Sequence, residues 1–187
     1  MELKIILQIA GACLGLIYLL LEYKANIWLW VVGMLMPIIH GILYFKSGLY
    51  ADFGMEVYYV LAGLWGLTQW HKKKNDSAFG PQRTPVRLWL PLLVALLALH
   101  GLIYLILVTF TDSTVPYFDA LTTALSIIAM WMLSRKYLEQ WLVWLLTDLI
   151  TTGLYAYKTL YITASLYLVY SVMAVVGYLK WKKMMFD

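Results

Sequence analysis

The sequence predicts an all-α integral membrane protein with seven transmembrane helices in a 3+1+3 arrangement of parallel repeats. Of its 187 residues, 63% are hydrophobic and only 13% are charged, which leaves too few polar side chains to cover a water-soluble protein of this size. In addition, residues 20–70 and 131–181 share one pattern at an offset of 111 positions without a gap. We therefore expect two homologous membrane halves.

The duplication is clearest at aromatic and glycine positions. Six aromatic or glycine positions keep the same residue in both copies, namely Trp30 and Trp141, Tyr44 and Tyr155, Tyr50 and Tyr161, Tyr59 and Tyr170, Gly66 and Gly177, and Trp70 and Trp181. Because the second copy starts four helices after the first, both copies run in the same direction and are related by an axis along the membrane normal.

Each predicted helix corresponds to an apolar run of roughly the 20 residues that cross a bilayer core. The runs are 3–21, 27–45, 50–70, 88–109, 116–134, 139–158 and 162–181. They should be helical because lipid offers no partner to an open backbone amide. The polar stretch 71–87 reads as a linker, which divides the chain into a first repeat (1–70), a linker with helix 4 (71–115) and a second repeat (116–187).

The distribution of lysine and arginine predicts the orientation. With the amino terminus outside, three basic residues lie on the outer side and eleven on the inner side, as the positive-inside rule requires. We therefore expect a bacterial inner-membrane protein with an outer amino terminus and a cytoplasmic carboxyl terminus.

Polar and aromatic residues follow one face of the sixth helix. Their relative positions are 0, 3, 7, 10, 11 and 14, which is a helical stripe. The stripe consists of Trp141, Trp144, Asp148, Thr151, Thr152 and Tyr155, and the matching positions of the second helix are Trp30, Gly33, Pro37, His40, Gly41 and Tyr44. We expect the two stripes to face a central cavity.

Asp148 and Glu56 are the two acids that lie deepest in the predicted spans. A carboxylate at the bilayer centre costs roughly 2.5–3.5 kcal/mol, so such a group usually faces the interior and has a partner. Asp148, Glu56 and His40 are therefore candidates for a ligand path, and a structural hydrogen bond between helices is the alternative. His100 reads as a packing or interface histidine.

The nine tryptophans and fifteen tyrosines allow two interpretations. Aromatic residues form belts at membrane interfaces, and Trp70, Trp89 and Trp181 are assigned to such belts. The aromatic residues on the stripes, together with Tyr59 and Tyr170, are candidates for a cavity wall, because aromatic faces beside a carboxylate suit a flat cation.

Other functional classes receive little support. The basic residues sit in short clusters between apolar runs, so no nucleic-acid partner is expected. The single cysteine, Cys13, excludes an internal disulfide, and no phosphate loop or metal-binding motif occurs. No cofactor is expected. An intramembrane enzyme using Asp148, Glu56 and His40 and a membrane scaffold that transports nothing remain as alternatives to a transporter.

Residues 28–70 and the second half of the chain resemble the PnuC vitamin transporter family. The most specific segments are FKSGLYAD (45–52) and SRKYLEQWLVW (134–144). The resemblance implies a SWEET-like fold, a homotrimer and facilitated diffusion of an unphosphorylated vitamin precursor, which a cytoplasmic kinase then traps by phosphorylation.

The resemblance leaves the substrate open among nicotinamide riboside, thiamine and riboflavin. Members of the nicotinamide riboside branch tend to carry Asn at the position of Asp148 and another Asn in the region of Pro37. This chain departs from that pattern. Asp148, Glu56 and His40 suit the thiazolium charge and the aminopyrimidine of thiamine, so thiamine is favoured here, with nicotinamide riboside as the alternative.

Overall fold

The protein is described by a computed structural model that covers residues 2–46, 50–73 and 79–186. Side chains at 2–12, 43, 44, 46 and 50–52 are outside the described part. In these ranges the chain forms seven α-helices: α1 (Glu2–Tyr23), α2 (Trp28–Lys46), α3 (Tyr50–Lys72), α4 (Val86–Phe110), α5 (Pro116–Ser134), α6 (Gln140–Tyr157) and α7 (Tyr161–Met184). The predicted fold class is confirmed, and no predicted helix end is off by more than three residues.

Local sequence explains several of the helix boundaries. Pro116 is the first residue of α5, where its missing N–H leaves no hydrogen bond unmade. After α1 and after α5 the chain turns through left-handed residues, Ala25 with φ 49° and Lys136 with φ 55°. These two residues are 111 positions apart, so the duplication extends to the backbone conformation of the turns.

The chain divides into two compact units, Met1–Phe79 and Gly80–Asp187. In the first unit α2 packs against both α1 and α3. In the second unit each helix from α4 to α7 packs against the next one along the chain. The predicted domain limits at 70 and 115 were drawn from the sequence repeat and do not coincide with the boundary between these two units. They stay a prediction.

Among the described residues, three helices are long and apolar enough to cross a membrane by length and composition, namely α4, α5 and α7. Shorter apolar segments occupy Cys13–Tyr23 and Trp28–Ile42. No residue of α4 is buried, which suits a helix whose outer face meets lipid.

A tryptophan of one helix packs onto a glycine of the next helix in both units. In the first unit the Trp30 ring lies against Gly66 and meets Trp70 edge to face, with ring centroids 5.8 Å apart. In the second unit Trp141 lies against Gly177 and meets Trp181 in the same way, at 5.7 Å. The helices approach this closely because glycine has no side chain, as at many membrane interfaces.

The assignment of Trp70 and Trp181 to an interface belt is wrong. Both are buried inside their units, with 3% and 0% of their surface exposed. Each indole is covered by the tryptophan of the neighbouring helix, which replaces the headgroup contacts that a belt residue would make. Trp89 is 45% exposed, so it is free to contact the membrane.

The linker is bound to the turn between α5 and α6. Gln82 forms a parallel bridge with Tyr137: its N–H donates to the Lys136 carbonyl at 3.0 Å, and its carbonyl accepts from the Leu138 N–H at 2.8 Å. The N–H and the hydroxyl of Thr84 both donate to Glu139 Oε2, at 2.8 and 2.7 Å. We call this set of contacts the linker clasp.

Candidate functional site

In the first unit, the candidate site is built on one contact between a histidine of α2 and a glutamate of α3. His40 Nδ1 lies 3.7 Å from Glu56 Oε1, so two of the predicted site residues are direct neighbours. The close packing at Gly41, where an added Cβ would lie 3.5 Å from the Glu56 Cβ, brings α3 near enough for this contact. Tyr59, one turn along α3, lies within electrostatic range of the same carboxylate.

An open cavity of about 390 Å³ adjoins this pair between α2 and α3. Its wall is apolar apart from Glu56 and includes Pro37, Phe45 and Phe53. Phe45 and Phe53 are in contact, with ring centroids 5.3 Å apart. A single carboxylate within an apolar wall favours a ligand that is flat or apolar and carries one positive charge.

In the second unit, the predicted stripe on α6 surrounds Asp148, which is 93% buried. The Tyr170 hydroxyl of α7 lies within electrostatic range of the Asp148 carboxylate. The hydroxyl of Thr152 donates to the Asp148 carbonyl at 2.7 Å, so it serves the helix backbone. Within the described residues no hydrogen bond reaches the Asp148 carboxylate.

Three tyrosines form a continuous aromatic surface near Asp148. Tyr155 of α6 stacks on Tyr167 of α7 with centroids 5.4 Å apart and an angle of 16° between the rings. Tyr167 in turn meets Tyr170 edge to face at 5.6 Å. The surface thus connects two predicted site residues through a third that sequence reasoning missed. Tyr167 occupies the repeat position of Glu56, which was the signal that could have identified it.

The remaining predicted site residues have different surroundings. Trp30 and Trp141 pack within their own units against glycine and tryptophan, and they are almost fully buried. Trp144 is partly buried, and its indole N–H has no acceptor among the described residues. Thr151 is half-buried, whereas the side chain of Tyr44 lies outside the described part of the chain.

In the described ranges no three His, Cys, Asp or Glu side chains are placed to hold a metal ion. The two candidate acids, Glu56 and Asp148, lie in different units, each beside aromatic side chains. Carboxylates next to aromatic faces can bind and release an organic cation without any covalent step.

Comparison with known proteins also indicates a transporter. A model of the nicotinamide mononucleotide transporter family matches residues 5–183. The nicotinamide riboside transporter PnuC of Escherichia coli is 22% identical, over 94% of this chain and 84% of that protein. The riboflavin/roseoflavin transporter RibM of Streptomyces davaonensis is 25% identical, over 93% of this chain and 83% of that protein.

The fold is also found among solved structures. The crystal structure of the vitamin B3 transporter PnuC superposes with a TM-score of 0.70 at 23% identity, covering 92% of this chain and 78% of that one. These relatives are transporters and not enzymes. With the family model matching nearly its whole length, this multi-pass membrane chain belongs to the nicotinamide mononucleotide transporter family, the family of PnuC.

Proposed function

We propose that the chain carries nicotinamide riboside across the bacterial inner membrane by facilitated diffusion. The observation that carries the proposal is the similarity to nicotinamide riboside transporters over more than nine-tenths of the chain. The sequence alone favours thiamine, and the relatives favour nicotinamide riboside instead. Orientation with the amino terminus outside, assembly as a trimer and trapping by a cytoplasmic kinase belong to the same proposal.

The geometry of the second unit supports a flat cationic ligand. The nicotinamide ring of nicotinamide riboside is planar and positively charged, and the stacked pair Tyr155 and Tyr167 offers an aromatic surface of matching shape. The Asp148 carboxylate lies within electrostatic range of the Tyr170 hydroxyl, at the end of that surface. Its negative charge would offset the pyridinium charge in a site that water enters poorly.

Thiamine is the second candidate because of one residue. An acid at position 148 attracts a thiazolium at least as well as a pyridinium, whereas an amide would serve ribose hydroxyls better. Riboflavin, the substrate in the name of one relative, is neutral and gains nothing from a carboxylate. The binding affinities of the three compounds should therefore depend to different degrees on the negative charge of Asp148.

Calorimetric titration of the purified protein with the three vitamins tests the proposal. We expect nicotinamide riboside to bind most tightly. Asp148→Asn should weaken its binding by roughly 1.5–3 kcal/mol, the range for a contact with a charged group. Asp112→Asn removes an exposed acid from the α4–α5 loop and should change nothing. Tighter binding of thiamine, together with a larger effect of Asp148→Asn on thiamine, would replace nicotinamide riboside by thiamine.

Transport itself is tested in proteoliposomes. Facilitated diffusion predicts that unlabelled substrate inside the vesicles accelerates the entry of labelled substrate. It also predicts no accumulation above equilibrium when a sodium or proton gradient is imposed. Accumulation driven by either gradient would contradict the passive mechanism, and binding without any flux would support the scaffold alternative.

A further inference from the structure

The chain passes from one unit to the other at a single point in the linker, between Phe79 and Gly80. Transporters with repeated halves work largely by rocking one half against the other around the substrate. If the two units of this chain move in that way, the backbone that joins them must change its dihedral angles. The residues on either side of this point therefore decide where the movement is absorbed.

On the side of the second unit, the linker is held by the linker clasp. The backbone of Gln82 takes part in the two hydrogen bonds of the bridge, and its side-chain Nε2 donates a third to the Arg135 carbonyl at 3.0 Å. Two more run from the buried Thr84 to the Glu139 carboxylate. Hydrogen bonds to a charged group are roughly twice as strong as neutral ones, so the linker from Gln82 onward moves as part of the second unit.

On the side of the first unit, the linker is held by the ring of Phe79. This ring is buried and meets Trp70 edge to face, with ring centroids 6.5 Å apart. The Nζ atom of Lys73 lies 5.0 Å from the centre of the same ring, which adds a cation–π attraction. The linker therefore has one anchor in each unit.

Gly80 and Pro81 are the two residues between these anchors. Three steps of about 3.8 Å keep the Cα atoms of Phe79 and Gln82 within about 11 Å of each other in every conformation. While both anchors hold, the units cannot draw apart at the linker, so a movement between them there has to be a rotation of the backbone. Because the proline ring fixes its own φ, most of that rotation falls to Gly80.

The structure gives no steric reason for a glycine at position 80. Its φ lies outside the left-handed region, and an added Cβ would meet no described atom within 4 Å apart from those of its chain neighbours. A residue that precedes proline is restricted through its own Cβ, whereas glycine has none and keeps more of its backbone freedom. Freedom of rotation is thus the property that distinguishes glycine from alanine at this position.

We propose that Gly80 is the hinge about which the two units turn during transport, held on its two sides by the linker clasp and by the contact between Phe79 and Trp70. This rests on the proposed function, because only a transporter needs such a movement. In the proposed orientation the hinge lies at the cytoplasmic end of the protein. Gly80 touches no substrate, so it governs the rate of transport and not the affinity for the vitamin.

Exchange in proteoliposomes and titration of the purified protein separate the rate from the affinity. Gly80→Ala should slow the exchange of labelled nicotinamide riboside about two- to fivefold, which corresponds to the lost freedom of one glycine, and should leave the affinity unchanged. Replacing Pro81 by alanine as well removes the restriction on position 80. The double variant should therefore regain most of the wild-type rate.

Gly101→Ala is the matched control. Its added Cβ also meets no described atom within 4 Å outside the adjoining backbone of α4, and it should change neither the rate nor the affinity. Thermal unfolding confirms that each variant is folded. The hinge is overturned if Gly80→Ala exchanges at the wild-type rate, if its affinity falls as much as its rate, or if the double variant is as slow as the single one.

The movement itself is measured without transport. In a Cys13→Ala background, spin labels are placed on cysteines that replace Lys72 of α3 and Lys183 of α7, one exposed residue in each unit. Pulsed electron paramagnetic resonance then gives the distribution of distances between the labels, and dilution with unlabelled protein removes distances between copies. We expect a broad distribution in the wild type and a narrower one in Gly80→Ala.

The exchange assay is repeated with thiamine and riboflavin, so that the proposed function and the hinge fail separately. Exchange of another vitamin in place of nicotinamide riboside contradicts the proposed substrate alone, and the rates measured with that vitamin then decide the hinge. If the wild type exchanges none of the three, the proposed function is wrong and the distances decide: identical distributions in the wild type and Gly80→Ala overturn the hinge, and a narrower one in the variant supports it.

Discussion

The contact between Trp141 and Gly177 predicts the effect of a single added methyl group. A Cβ at position 177 would lie 2.6 Å from the Cη2 atom of Trp141, a separation that carbon atoms do not adopt. Trp141 is buried and also covered by Trp181, so its ring has little freedom to withdraw. Gly177→Ala should therefore push α6 and α7 apart.

The magnitude follows from two opposing effects. Inserting a methyl group into a well-packed region typically costs about 1–3 kcal/mol, whereas alanine in place of glycine within a helix gains roughly 0.5–1 kcal/mol. We expect a net loss of about 1–2 kcal/mol. At about 2–4 °C for each kcal/mol in a chain of this size, the unfolding temperature should fall by about 2–8 °C.

Thermal unfolding of the purified protein in detergent measures this change. Gly153→Ala is the matched control, because among the described residues no atom outside the adjoining backbone of α6 lies within 4 Å of the Cβ that it would add, and it should leave the unfolding temperature unchanged or raise it. Trp141→Phe shortens the ring that meets the new methyl group and should restore part of the stability lost in Gly177→Ala. If Gly177→Ala is as stable as Gly153→Ala, the close contact does not hold α6 and α7 together and the argument is wrong.

Three further predictions concern the turns, the linker clasp and the topology. Ala25→Gly should stabilise the protein by about 1 kcal/mol, because Ala25 has a φ of 49° that favours glycine, and an unfolding temperature that does not rise contradicts this. Thr84→Val removes one hydrogen bond to Glu139 and should cost about 1–2 kcal/mol in the same assay; an unchanged value would mean that the clasp adds no stability. In a Cys13→Ala background, a cysteine replacing Asp112 should react with an impermeant reagent on intact cells and one replacing Arg83 should not; the reverse pattern inverts the proposed orientation.

Much of the fold was predictable because its signals are periodic. Apolar runs of bilayer length determine where helices form, and the offset of 111 residues predicts which positions are equivalent. The equivalence extends to contacts between helices that the sequence alone does not predict. Trp30 packs on Gly66 in the same way as Trp141 packs on Gly177. The helix ends were less exact because the basic residues after Trp181 continue α7 as far as Met184.

The burial of Trp70 and Trp181 could not be predicted from the same signals. A tryptophan near a helix end beside lysines satisfies the criteria for an interface belt. Whether it turns toward lipid or toward a neighbouring helix depends on the size of the residue opposite. Here that residue is a tryptophan lying flat on a glycine, a contact between helices that a pattern within one helix does not reveal.

The sequence proposes residues for the candidate site but not their arrangement, and their role in binding stays a prediction. A histidine and an acid in separate spans suggested a polar path, and the structure makes His40 and Glu56 neighbours. The hydroxyl of Thr152, by contrast, serves its own helix, as threonine often does within a helix.

The edge-to-face tryptophan pairs give each unit its own optical reporter. Two indoles with centroids 5.7–5.8 Å apart and nearly perpendicular planes couple their electronic transitions and produce a near-ultraviolet circular dichroism signal that is lost when the pair separates. Trp70→Phe silences the pair of the first unit, and Trp181→Phe silences that of the second. Melting curves of these two variants would therefore report whether the two halves unfold in one cooperative step or one after the other.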